Sequence, residues 1–195
     1  MTDSFVIQAV LLAAGKSKRF GHLDKTHLEI DGVAMAIKTA LLFTPIVESV
    51  LIVLSEDNKL LQDLAKTENI DVVINDSLNN SGIGSSVSLS VSSRPSVDAW
   101  LFCPADMPFI KSETIVKVVD AIRKSDDKTI VVPRYNNRNG HPVCFGRFYK
   151  QALLERSGDV GARTIIKKNA HAIHYIDVDD AGVCRDVDVP SDILL

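Results

Sequence analysis

The sequence predicts a single α/β domain spanning residues 1–195, three layers deep, with a mostly parallel central sheet. Three observations carry this expectation. Strand-like and helix-like segments alternate along most of the chain, the signature of βαβ units. The strand-like segments are continuously apolar, as strands covered on both faces are. And 195 residues with 46% hydrophobic content close one good core but are short for two catalytic domains.

Phe5 to Ala14 is an apolar run preceded by Asp3 and by no basic residue. It is shorter than the roughly 18 apolar residues a membrane span requires, so it reads as a buried first strand rather than a leader or an anchor. A polar, basic loop from Gly15 to Lys25 follows, and Ala34 to Phe43 fits a helix stopped before Pro45. Ser49 to Leu54 is the next apolar strand. Asn58 to Lys66 has leucines at 60, 61 and 64, a helical spacing, and Ile70 to Ile74 returns as a strand. The stretch from Ile83 to Val91 fits both periods. Ala99 to Cys103 is plainly a buried strand, however, and a parallel neighbour needs a crossover, which favours a helix before it. Ser112 to Lys124 carries Ile115, Val118, Val119 and Ile122 on one face, with Ser112 as N-cap and Glu113 in the first turn. Beyond it we expect strands at Thr129 to Val132 and Val143 to Phe145, a helix at Gly161 to Lys168, and strands at Ala172 to Val178 and Val183 to Val187.

Charge narrows the function. Lys and Arg number 22 against 25 Asp and Glu, a net charge of -3, which supplies no overall field for holding nucleic acid. Cys103, Cys144 and Cys184 are far apart and lack CxxC spacing, as expected of reduced thiols in a cytoplasmic protein.

Parallel α/β sheets bind ligands at the carboxyl ends of their strands, so the loops after strands hold the chemistry. The first, Leu11-Leu12-Ala13-Ala14-Gly15-Lys16-Ser17-Lys18-Arg19-Phe20-Gly21, ends a strand in small residues and opens into a cationic loop followed by Lys25. Small residues let backbone N–H groups approach a phosphate, and the cations neutralise it. Position 10 is Val10 and position 17 is Ser17, which excludes both a Walker A loop and a dinucleotide fingerprint. The alternative is a solvated basic turn. A second loop, Cys103-Pro104-Ala105-Asp106-Met107-Pro108, places a carboxylate just past a buried strand between two prolines. Such a group can hold Mg²⁺, or it can be a turn aspartate.

The first loop resembles the LAAGxSxRxG…K signature of Rossmann-like nucleotidyltransferases of the nucleotide-diphospho-sugar transferase type, through Leu12, Ala13, Ala14, Gly15, Ser17, Arg19, Gly21 and Lys25. The resemblance implies that Leu12, Ala13, Ala14 and Gly15 hold the nucleotide. It also implies that Arg19 and Lys25 act catalytically on charge at the α-phosphate as pyrophosphate leaves. Asp106 matches the family's ADMP metal motif. Asn75, with Gly82, Ser85 and Ser86, is similar to the base-binding segment, Ile83 and Val87 standing where Met and Leu are usual. Asp186-Val187-Asp188-Val189-Pro190-Ser191-Asp192 is similar to a DxDTPxD ending with Val189 in place of Thr. Asp188 is the implied second metal ligand and Asp186 its competitor, with a cap for a final helix as the alternative.

Asn139-Gly140-His141-Pro142-Val143 and Gly158-Asp159-Val160-Gly161-Ala162-Arg163 resemble the GHPV and GDxGAR segments of one branch, the molybdenum cofactor cytidylyltransferases and molybdopterin nucleotidyltransferase-like proteins. That branch implies acceptor binding by His141 and Arg163, Mg²⁺ as cofactor, and transfer of CMP from CTP to molybdenum-bearing molybdopterin, with a molybdoenzyme as recipient of the product. Three alternatives stay open: a guanylyltransferase for the same cofactor, a cytidylyltransferase for another phosphorylated small molecule, and a non-catalytic cofactor carrier.

Overall fold

The computed structural model describes residues 5–14, 28–76, 82–188 and 190–193. In chain order these form β1 (Ile7–Leu12), a small hairpin of β2 (Glu29–Ile30) and β3 (Val33–Ala34), and α1 (Met35–Leu41). Next come β4 (Ser49–Ser55), α2 (Lys59–Thr67), β5 (Asp71–Asn75), α3 (Ile83–Ser93), β6 (Ala99–Pro104) and α4 (Ser112–Arg123). The remainder is β7 (Ile130–Tyr135), β8 (Arg138–Asn139), β9 (Val143–Gly146), α5 (Lys150–Leu154), α6 (Arg163–Lys168) and β10 (Ile173–Asp177).

The main sheet runs β10-β7-β9-β6-β1-β4-β5, with β8 paired to β7. Pairing is parallel except on either side of β9 and between β7 and β8. Side chains alternate across the strands, so the two faces have separate cores. Ala9, Leu11, Ile52, Leu54, Leu101 and Cys103 pack with α1, α2 and α4 through Ile37, Leu61 and Ile115. Val10, Val53, Trp100 and Phe102 pack on the other face with Val87, Leu153 and Ile165 of α3, α5 and α6. This is the expected three-layer domain, and helical α3 settles the segment that fitted two periods.

Three local expectations are corrected. Ser112 is not an N-cap; it is the first helical residue of α4, which has no side-chain cap from its own flank. Instead the buried carboxylate of Asp180 reaches in from the far end of the chain, accepting from the Lys111 N–H at 2.9 Å and the Thr114 hydroxyl at 2.7 Å. Its other oxygen accepts from the Gly182 N–H at 2.9 Å. That bond turns residues Ala181–Cys184 into a 3-10 turn, so Val183 to Val187 is no strand. The backbone groups of this segment bond sideways: His141 donates to the Val183 carbonyl at 2.8 Å, and Val187 to that of Asp106 at 2.9 Å. Finally, the predicted helix at Gly161 begins two residues later, at Arg163, because Gly161 and the residues before it dock against α3.

Two hairpins were not foreseen. Asp31 and Gly32 (φ 54° and 77°) join β2 to β3, and Asn136 and Asn137 (φ 47° and 62°) join β7 to β8. Paired positive φ values define the tight turns that match strand twist, and Asp-Gly and Asn-Asn are residues that accept them.

Candidate active site

The chain leaves β1 for β4 and β5 on one side, then returns to β6 on the other. The carboxyl ends of β1 and β6 therefore flank the point where strand order reverses, where a parallel sheet opens a crevice. Leu12 and Ala13 are clamped there: Ala13 N–H donates to the Val53 carbonyl at 3.0 Å, and Ala105 N–H to that of Leu12 at 3.2 Å. Ala13 is buried and Ala14 half-buried. Gly15, Arg19 and Lys25 lie outside the described residues.

Asp106 sits just past β6, in a turn fixed by its own main chain. The buried Thr39 hydroxyl of α1 donates to the Ala105 carbonyl at 3.0 Å, and Val187 N–H binds that of Asp106. The second bond brings the C-terminal segment across the sheet end. As a result Asp106, Asp186 and Asp188 each place a carboxylate oxygen within 4.8 Å of the others. Both candidates for the second ligand, Asp186 and Asp188, thus lie beside Asp106. Three carboxylate oxygens suit a hard divalent cation such as Mg²⁺ or Mn²⁺. Asp188 is also held from its backbone, its N–H donating to the Asp192 carboxylate at 2.8 Å.

Beside the cluster opens a cleft of about 310 Å³, lined among others by Asp106, Asp186, Arg138, Asn139, His141 and Cys184. Gly140 lets the chain enter: a Cβ there would lie 2.5 Å from the Val183 carbonyl oxygen. A cis peptide joins His141 to Pro142. The His141 Nδ1 is buried and makes no hydrogen bond among the described residues. Burial lowers the pKa of this imidazole, opposed by the Phe102 backbone and then by the charges of Asp106 and Asp186. Cys103 beneath is pushed well up, first by burial and then by Asp106.

The other predicted residues gather elsewhere. The Asn75 side-chain amide donates to the Ser86 hydroxyl at 2.9 Å, and the Ser85 hydroxyl accepts from Gly158 N–H at 3.2 Å. Gly84 N–H donates to the Gly158 carbonyl at 2.8 Å. Ser85 and Ser86 are buried, their hydroxyls turned to these neighbours. The fit allows no side chain at Gly84, whose Cβ would lie 2.5 Å from the Ser157 carbonyl oxygen and 2.6 Å from that of Val160. The two expected acceptor residues are thus separated: His141 lines the cleft, whereas Arg163 opens α6 directly after the loop docked on Gly82–Ser85 and does not line it. Sequence reasoning missed Arg138, although Asn136-Asn137 signals the hairpin that presents it. It also missed Asp180, for which no local signal exists.

Residues 9–173 match the MobA-like NTP transferase domain. The chain belongs to this family of nucleotidyltransferases. No curated protein sequence matches this MobA-like chain. Similar solved structures include Rv0371c from Mycobacterium tuberculosis H37Rv, 22% identical, with a TM-score of 0.81 over 96% of this chain and 95% of that one. The same protein complexed with manganese, also 22% identical, gives 0.78 over the same shares. Molybdopterin-guanine dinucleotide biosynthesis protein A from Archaeoglobus fulgidus is 14% identical, with a TM-score of 0.64 over 96% of this chain and 95% of that one. CMP:2-keto-3-deoxy-manno-octonic acid synthetase complexed with CTP is 11% identical, with 0.71 over 95% and 93%. At these identities the likeness is one of fold. Among the described residues no helix is long and apolar enough to cross a membrane.

Proposed function

We propose that this MobA-like protein transfers CMP from CTP to the terminal phosphate of molybdenum-bearing molybdopterin, releasing pyrophosphate, with Mg²⁺ held by Asp106, Asp186 and Asp188. One observation carries the reading: two segments distant in sequence bring three carboxylates together at the sheet crevice, against a cleft of small-molecule size. A cation held by these three carboxylates would supply positive charge to offset that of the phosphates. An acceptor phosphate oxygen attacks the α-phosphorus, the bond to the pyrophosphate oxygen breaks opposite it, and pyrophosphate departs. Arg19 and Lys25 stabilise the charge that develops. Leu12 and Ala13 anchor the phosphate loop to the sheet, the Ala13 N–H being taken by Val53, while Ala14 and Gly15 offer their backbone N–H groups to the phosphates; Asn75, Gly82, Ser85 and Ser86 shape the base pocket as a bonded unit. His141 faces the acceptor; Arg163, by its position after the docked loop, serves the nucleotide side.

The half-buried Ala14 favours the smaller base, and a CTP-bound relative of the same fold supports it. The guanylyl alternative is supported by the archaeal relative named for molybdopterin-guanine dinucleotide. The unpaired state of all three cysteines is in keeping with a cytoplasmic reaction. The test is pyrophosphate release from each nucleoside triphosphate with Mg²⁺ and molybdenum-bearing molybdopterin. We expect release with CTP. Preference for GTP would replace the cytidylyl reading with the guanylyl one, and binding without any release would make the protein a carrier.

A further inference from the structure

We propose that Arg138 is the phosphate anchor of the acceptor, and that it makes the cleft selective for phosphate monoesters. The inference rests on the transfer reading above and names the residue and the ligand class that it leaves open. Arg138 is delivered by the Asn136-Asn137 turn, paired in register with Tyr135. Its backbone is pinned: the Cys184 thiol lies 3.6 and 3.7 Å from the carbonyl oxygens of Arg138 and Asn139, and Gly140 N–H donates to Pro133 at 2.8 Å. The hairpin is therefore a fixed base for a free side chain.

The neighbouring arginines are committed. Arg134 binds Asp177 through two nitrogens, at 2.8 and 3.1 Å, and lies over the Tyr175 ring. Arg185 stacks on Phe109, 4.3 Å from its centroid, and donates to the Asp192 carbonyl. The Arg138 side chain forms no ion pair or hydrogen bond among the described residues, although it lines the same cleft as Asp106 and Asp186. A cation held by these carboxylates would carry their charge, and the Arg138 guanidinium, paired with none of them, is left for an anion.

A guanidinium fork matches two phosphate oxygens in one plane. A phosphate monoester has three non-bridging oxygens: two can occupy the fork while the third stays free to attack the α-phosphorus. A diester has only two and cannot do both. Arg138 thus both binds the acceptor phosphate and turns its remaining oxygen toward the nucleotide.

The probe is methyl phosphate, observed by ³¹P relaxation with the full chain, saturating CTP to fill the nucleotide side, and Mn²⁺ as paramagnetic cation. CTP persists because methyl phosphate is supplied below the level that supports measurable turnover, which pyrophosphate release monitors. In the wild type, methyl phosphate should relax faster and dimethyl phosphate should not. Arg138→Gln should reduce the enhancement at least about tenfold, as expected for losing charge-assisted bonds, and Arg138→Lys should restore part of it. The CTP signals should relax alike in all three proteins, and because Arg138 is exposed the thermal midpoint should not move. Unchanged methyl phosphate relaxation in Arg138→Gln with CTP still bound overturns the inference and leaves the transfer reading standing, as does equal enhancement of both esters. Failure of the wild type to bind CTP with Mn²⁺ removes the transfer reading and this inference with it.

Discussion

Replacing Asp180 by Ala should unfasten the C-terminal segment from the sheet, and the cost can be worked from its bonds. The carboxylate is 2% exposed and accepts from two backbone N–H groups and one hydroxyl, at 2.9, 2.9 and 2.7 Å. A hydrogen bond to a charged group contributes roughly 1.5–3 kcal/mol, so three would sum to about 4.5–9. That sum is too high, since the three share one carboxylate and Lys111, at a helix start, regains water when the carboxylate goes. We expect a loss of about 3–5 kcal/mol, a large share of a domain's ~5–15. Asp180→Asn keeps the shape but turns an N–H₂ group toward one donor, and should cost less, about 1–3 kcal/mol. Urea unfolding with an unchanged slope measures both. Mn²⁺ affinity should fall as well, because Gly182 and Val183 hold the path to Asp186. A loss below about 1 kcal/mol for Asp180→Ala would refute the claim that this carboxylate fastens the segment.

Asp106→Asn should leave the fold intact and reduce Mn²⁺ affinity and transfer together, the latter by a factor of about 100 or more, since a metal ligand acts where transition-state charge develops; near-normal pyrophosphate release at saturating Mg²⁺ would remove it from the cluster. Gly84→Ala drives a Cβ against two backbone carbonyls and should destabilise by about 1–3 kcal/mol while weakening CTP binding more than acceptor binding, as read by unfolding and titration calorimetry. Ala14→Gly should narrow the preference for CTP over GTP by on the order of 10-fold in kcat/KM, the scale of one methyl group in a pocket; no change would take Ala14 out of base selection.

The layers of this fold were legible because its central strands, β1, β4 and β6, are buried on both faces. Ser49 to Leu54 and Ala99 to Cys103 can be little else, and a crossover between parallel strands then fixes Ile83 to Ser93 as helix whatever its serines suggest. What resisted reading was non-local. Asp180 caps a helix from 66 to 69 residues away, so the flank of α4 offered only Ser112 as a cap. Val183 and Val187 look like strand residues because both are buried, but each is an anchor in a segment whose hydrogen bonds go to His141 and Asp106 rather than to a neighbouring strand. The same crossing explains why the sequence could name Asp186 and Asp188 only as rivals: alternation puts two such residues on one side of an extended chain, and only the docking onto Asp106 brings both carboxylates beside its own. The hairpin turns were a different omission, since Asp31-Gly32 and Asn136-Asn137 carry a local signal.

The bond from Val187 to Asp106 also sets an order of assembly. Strands β1, β4, β5, β6 and β9 are complete by residue 146, and a growing chain can close most of its sheet from them. The three-carboxylate cluster does not exist until residues 186 and 188 have emerged and crossed back to the end of β6. A partly made chain can therefore be well folded in its core and still lack any grip on a divalent ion. Once the segment has crossed, an ion bound among the three carboxylates would hold the tail against the sheet, and cation concentration would then tune how long that last piece stays seated.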